Sequence, residues 1–146
     1  MVESKLEPRS YAILITDDDA GSREVLREIV EPEGFRAVLA SSGEEALEIV
    51  RGERIDLAVF DMHMPRLTGL ETLELARQVR GELPAILVTA DPTDELIRRA
   101  FFAHFYSVIP KPVSRNVLLY TVLRALGQVY GVQTGPGPEA PAKEPD

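Results

Sequence analysis

Ile55-Asp-Leu-Ala-Val-Phe60, closed by Asp61, decides how this chain is read. A short, nearly continuous apolar run without alternation is the pattern of a strand covered on both faces, which is how parallel strands are buried. Two runs of the same kind flank it, Tyr11-Ala-Ile-Leu-Ile-Thr16 and Ala85-Ile-Leu-Val-Thr89. These three are read as central strands. Phe35-Arg-Ala-Val-Leu39 carries a charge and Ser107-Val-Ile109 is shorter still, so both belong towards the sheet edges.

Amphipathic segments fill the intervals. Leu26, Ile29 and Val30 form an apolar stripe after Asp19, with Gly34 as a C-terminal stop. Ser42-Gly-Glu-Glu45 and Thr68-Gly-Leu-Glu71 both match a capping box ahead of an apolar stripe. Asp91-Pro92 offers an N-cap and a proline at the first helical position for a helix reaching about Phe102, and Ser114 would cap a last helix reaching about Tyr130. Five strand-helix units in strict alternation predict an α/β fold, a doubly wound parallel sheet with helices on both faces. Residues 1–10 are polar and contain Pro8, while 131–146 carry seven Gly or Pro. The expected organisation is a disordered N-terminal segment, one domain over 11–130, and a flexible tail or cut-short linker.

Composition narrows the function. The 16 basic and 24 acidic residues leave a formal charge of −8, which disfavours direct binding to nucleic acid or to an anionic membrane. Without cysteine there is no disulfide framework, thiolate metal site or thiol nucleophile. The start, Met1 to Pro8, lacks the apolar core of a signal peptide, and no run is long enough to cross a bilayer, so a cytoplasmic setting is expected.

In open α/β sheets ligands bind beyond the carboxyl ends of the strands. There the first strand delivers Asp17-Asp18-Asp19, the third Asp61, the fourth Thr89, and the fifth is followed by Lys111. Carboxylates converging in one crevice raise one another's pKa unless a cation is present, and an all-oxygen set suits Mg²⁺. If Asp61 attacks a phosphoryl donor, the Mg²⁺, the Lys111 ammonium and the Thr89 hydroxyl would each take one oxygen of the transferring group. Asp19 is read as a helix cap or a solvated group and not as a ligand.

Ile13-Leu-Ile-Thr-Asp17-Asp18, Asp61-Met-His-Met-Pro65 with Gly69 four residues beyond, Val88-Thr89-Ala90 and Lys111-Pro112 resemble the four signature segments of response-regulator receiver domains. The resemblance covers about residues 11–130. It implies a flavodoxin-like fold with strand order 2-1-3-4-5, and an Asp61 phosphorylated by a sensor histidine kinase or phosphotransfer protein. It further implies that Asp18 and Asp61 ligate Mg²⁺ directly, Asp17 through water, and His63 through its main-chain carbonyl. Lys111 would contact the phosphoryl group across a cis Lys111–Pro112 bond, Thr89 would swing towards it, and the side chains of His63 and Asp91 would tune its lifetime. No turnover beyond self-phosphorylation and autodephosphorylation is implied. Five positions depart from the family: Val108 replaces the usual aromatic three residues before the lysine, His104-Phe105 a small Gly-Ala pair, and Thr16 a valine, while Pro110 directly precedes Lys111. Two rivals remain: a receiver-like interaction module that works without phosphate, and an aspartate-nucleophile phosphatase. The phosphatase class places a second Asp where this chain has His63.

His63 and His104 fall on different loops without a third soft ligand, which argues against zinc. Phe101, Phe102, Phe105 and Tyr106 fit either core packing or a partner surface. The last helix carries two apolar stripes, Leu118/Val122/Ala125/Val129 and Leu119/Leu123/Leu126/Tyr130. That surplus points to a downstream target or self-association through the last two helices.

Overall fold

The computed structural model describes residues 11–131. Five strands alternate with five helices: β1 Ala12–Thr16, α1 Ala20–Val30, β2 Arg36–Ala40, α2 Gly43–Gly52, β3 Leu57–Asp61, α3 Gly69–Val79, β4 Ala85–Thr89, α4 Asp94–Phe102, β5 Ser107–Pro110 and α5 Arg115–Tyr130. All pairings are parallel, in the order β2-β1-β3-β4-β5. This is the doubly wound, flavodoxin-like sheet, with the two weakest runs at its edges. The expected irregular ends, 1–10 and all but the first residue of 131–146, lie outside the described residues.

Alternate strand residues feed two cores. Leu14, Phe60 and Leu87 pack with Leu47, Leu73 and Leu96 of α2, α3 and α4. Ile15, Val59 and Val88 pack with Leu26 of α1 and Leu118 and Val122 of α5. Every residue of β1, β3 and β4 is buried, as continuous apolar runs require when helices cover both faces.

Local details differ from the sequence reading in four places. Asp19 caps α1 as expected, but Gly34, with φ 98°, ends a 3₁₀ extension over Glu31–Glu33, the α-helix itself stopping at Val30. The capping box at Thr68 and Glu71 is complete. At α2 it is half formed, because the Glu45 carboxylate accepts from the amide and hydroxyl of Ser41, one residue early. Thr93, and not Asp91, caps α4 through the Leu96 amide. Asp91 precedes a proline, which pushes it towards extended backbone, and its amide is already held by the Thr89 hydroxyl. Finally β3 begins at Leu57 because the buried Asp56 turns aside, its carboxylate accepting from the Ala12 amide at 2.8 Å and from Arg54 Nε at 2.9 Å.

Asp56 also anchors the far end of α5. Its carbonyl accepts a hydrogen bond from the Tyr130 hydroxyl at 2.8 Å, and the Tyr130 ring lies 5.5 Å from that of Tyr11. Burial, then the charge of Asp56, pushes the Tyr130 phenol up to about 12.

Candidate functional site

Strand register brings the polar ends together. Thr16 pairs with Ala40 and Phe60, Asp61 with Val88, and Thr89 with Pro110, so the residues that follow these positions meet at one edge of the sheet.

The three consecutive aspartates divide their work. Asp17 is buried and bonded on all sides: its amide donates to the Ala40 carbonyl, Oδ1 accepts from the Asp19 amide at 2.9 Å, and Oδ2 accepts from Lys111 Nζ at 2.9 Å. Its carbonyl accepts from Arg23 Nη1 at 2.8 Å. Asp19 is the cap of α1, its carboxylate accepting from the Ser22 amide. Asp18, between them, is exposed, and its carboxylate faces the same space as those of Asp17 and Asp61. Carboxylate oxygens of Asp17, Asp18 and Asp61 all lie within 4.8 Å of one another.

Asp61 is held in place by the start of α3. The Gly69 amide donates to the Met62 carbonyl at 3.1 Å, and a Cβ at Gly69 would lie 2.7 Å from the Asp61 carbonyl oxygen and 2.7 Å from Leu87. Only glycine lets the helix start this close to the strand end. The intervening loop carries Arg66 at φ 71°, paired with Glu44 at 2.6 Å.

Charge in the crevice is unbalanced. Burial, then the nearby charge of Asp17, pushes the Asp61 carboxyl up, while Lys111 and the His63 amide pull it back. Lys111 Nζ sits 3.3 Å from Asp61 Oδ1 as well as 2.9 Å from Asp17. Burial works to lower its pKa, but its hydrogen bond to Asp17 and the charges of both aspartates raise it. One ammonium against three carboxylates leaves room for a further cation. A hard, all-oxygen donor set with two buried and one open carboxylate fits Mg²⁺.

The structure thus gathers Asp17, Asp18, Asp61 and Lys111. Thr89 stands at the adjoining strand end, its carbonyl accepting from the Lys111 amide at 2.8 Å, but its buried hydroxyl is turned to the Asp91 amide at 3.1 Å. His63 is exposed on the loop after Asp61. His104 lies away on the α4–β5 loop with φ 65°, the left-handed region, at the position where the sequence departs from a small residue. The Lys111–Pro112 bond is cis. Val108 packs half-buried against the α2–α3–α4 core, and the buried Thr16 hydroxyl has no hydrogen-bond partner. Sequence reasoning missed Arg23. Its only sequence signal is a cation on the second turn of α1 in an otherwise anionic neighbourhood, and its bond to a main-chain carbonyl leaves no pattern.

Residues 13–123 match the family described as response regulator receiver domain. The chain belongs to that family. Among its relatives, the response regulator MprA of Mycobacterium sp. (strain KMS) is 37% identical over 133 residues, covering 89% of this chain and 55% of MprA. The sensor histidine kinase AruS of Pseudomonas aeruginosa is 36% identical over 121 residues, covering 80% of this chain and 12% of AruS. The chain therefore spans about half the length of the first relative and a small part of the second. Among solved structures, a CheY-like receiver domain protein from Methanospirillum hungatei is similar with a TM-score of 0.78 at 30% identity, covering 83% of this chain and 97% of the other. CheY of Borrelia burgdorferi, solved in a complex of CheX, CheY, BeF₃ and Mg²⁺, is similar with a TM-score of 0.75 at 25% identity, covering 82% and 97%.

Proposed function

We propose that this receiver domain is a phosphorylation switch of a two-component phosphorelay, in which Asp61 accepts a phosphoryl group from a sensor histidine kinase or phosphotransfer protein. The observation that carries the reading is the convergence of Asp17, Asp18 and Asp61 within 4.8 Å around Lys111. A buried carboxylate flanked by an ammonium and by a metal-competent acidic pair is built to attack phosphorus and to steady the negative charge that spreads over the phosphoryl oxygens.

Asp18 and Asp61 would hold Mg²⁺ with the His63 carbonyl, and Asp17 would act through water while fixing Lys111. When bound, the ion neutralises carboxylate repulsion and polarises phosphoryl oxygens. The Asp61 carboxylate oxygen forms the new bond to phosphorus as the phosphorus–nitrogen bond of the donor's phosphohistidine breaks and its imidazole leaves, the Lys111 ammonium pairs with one phosphoryl oxygen, and the Thr89 hydroxyl turns from Asp91 to another. The side chains of His63 and Asp91 flank this space and set access of water. The domain modifies only itself.

Output is assigned to the α4–β5–α5 face. Ile97, Phe101, Tyr106, Val117 and Tyr120 are all exposed there, more apolar surface than a solvated face needs. Phe105 is the exception among the four clustered aromatics, buried against Phe60. The occupant of this face is a downstream protein or a second copy, and neither nucleic acid nor a membrane is a direct partner. No helix among the described residues is long and apolar enough to cross a membrane, and the proposed setting is the cytoplasm.

A second reading, an interaction module that no longer uses phosphate, draws on Val108, which removes the aromatic that resembling proteins use to follow the threonine. An aspartate-nucleophile phosphatase is disfavoured by the exposed His63 where that class carries its second acid. The test is incubation with acetyl phosphate and Mg²⁺ followed by intact mass measurement. One acid-stable, base-labile phosphoryl group is expected on the wild type and none on Asp61→Asn. No gain with any donor favours the interaction module, and turnover of added phosphomonoesters favours the phosphatase.

A further inference from the structure

Two groups at the carboxyl end of the sheet lack the hydrogen-bond partner that their neighbours have, and they are two residues apart. The first is the Thr16 hydroxyl. Thr16 is 1% exposed, and its oxygen is the single buried side-chain nitrogen or oxygen among the described residues without a hydrogen-bond partner. Carbonyls close to it are already engaged, that of its register partner Ala40 by the Asp17 amide and that of Asp17 by Arg23 Nη1. A valine of nearly the same shape would fill this place without desolvating a hydroxyl.

The second is the Asp18 carboxylate. Asp17 is held by the Asp19 amide and Lys111, and Asp61 by Lys111 and the His63 amide. Asp18 is exposed and, among the described residues, accepts from no donor. Its carboxylate nevertheless lies within 4.8 Å of the other two.

Strand geometry places these two groups on one side. Side chains alternate along a strand. Leu14 packs in the α2–α3–α4 core and Ile15 in the α1–α5 core, and Thr16 returns to the side of Leu14, beside Ala40 and Phe60. The pairing of the Asp17 amide with Ala40 carries extended backbone one residue past β1, so Asp18 follows Thr16. Two residues along a strand span about 6–7 Å, a gap that a hydroxyl and a carboxylate leaning towards each other close to hydrogen-bond distance.

We propose that Thr16 is a positioning residue for metal binding: its hydroxyl is the donor that Asp18 lacks, and the bond forms when Asp18 takes Mg²⁺. This rests on the reading of Asp18 as a metal ligand. A ligating carboxylate gives one oxygen to the ion and leaves the other to be fixed by a donor, and such supporting bonds orient the ligand and raise affinity. Rotation about the Thr16 Cα–Cβ bond swings the hydroxyl between staggered positions without moving the backbone. The unpaired hydroxyl is a cost in the metal-free protein that the loaded protein recovers. Thr16 itself touches neither the ion nor phosphorus.

The test compares wild type, Thr16→Val and Thr16→Ser on the full chain, by urea midpoints in EDTA and by calorimetric titration with Mg²⁺. In EDTA, Thr16→Val is expected to unfold no earlier than the wild type, while its Kd for Mg²⁺ rises by about fivefold to tenfold. Thr16→Ser keeps the donor and should stay within about twofold of the wild-type Kd. Equal Mg²⁺ affinity in Thr16→Val and the wild type overturns the proposal, as does a Thr16→Ser that binds as weakly as Thr16→Val. A Thr16→Val that is less stable in EDTA, or that does not fold, shows the hydroxyl already engaged before the metal arrives and also overturns it. A wild type that binds no Mg²⁺ removes the reading of Asp18 itself, whereas binding that is indifferent to Thr16→Val removes the inference alone.

Discussion

Two buried aspartates bracket one strand. Asp56 precedes β3 and Asp61 ends it, and they are buried almost equally, at 2% and 6% exposure. Asp56 is fully engaged: the Ala12 amide and Arg54 bond its two carboxylate oxygens, and Tyr130 bonds its carbonyl. Asp61 faces another carboxylate, shares its lysine with it, and has its pKa raised by burial and by that charge. Burial alone does not separate a structural acid from a reactive one. The separation lies in whether the surrounding donors match the acceptors, and at Asp61 they fall short by about one cation.

The comparison can be broken most sharply at Asp56. Asp56→Ala leaves the Ala12 amide and Arg54 without their acceptor and is expected to cost about 2–4 kcal/mol, read as a lower urea midpoint, while the folded fraction still accepts phosphate. A stability cost at Asp56 no larger than at Asp61 would erase the distinction. A smaller effect is expected at Asp61, with its sign set by linkage. Its folded pKa lies above its unfolded value, so in metal-free protein its contribution to stability is greatest below the unfolded pKa and falls as pH rises towards the folded one. Asp61→Asn should flatten that part of the stability profile and unfold no earlier than the wild type at neutral pH, measured by thermal melts between pH 4 and 8. The smallest effect is expected at Thr16. Its orphaned hydroxyl costs desolvation without return in the metal-free protein, so Thr16→Val should stabilise it by up to about 1 kcal/mol. A loss of stability there would mean that the hydroxyl is already engaged before a metal binds.

The fold was legible because its signals are local or periodic. Apolar runs marked β1, β3 and β4, a charge in Phe35–Leu39 marked an edge, and Asp19, Thr68 and Ser114 capped the helices they precede. The acidic set was legible because each member sits at a strand end. Asp91-Pro92 misled because the competing acceptor, the Thr89 hydroxyl, is contributed by the end of β4 and had already taken the Asp91 amide. Arg23 and Arg77 were invisible for a related reason, since they bind main-chain carbonyls, and a carbonyl has no residue type. The aromatic cluster could not be divided in advance. Phe101 and Phe102 end up 72% and 70% exposed, whereas Phe105 escapes to the core because the left-handed turn at His104 redirects the chain.

The contact of Tyr11 with Tyr130 sets the first and last turns of the described domain side by side, at the end of the sheet remote from Asp61. A module whose described ends, Tyr11 and Tyr130, lie together away from Asp61 can be joined to other polypeptide there without obstructing its reactive mouth. The match covers about half of a regulator in one relative and about an eighth of a kinase in another.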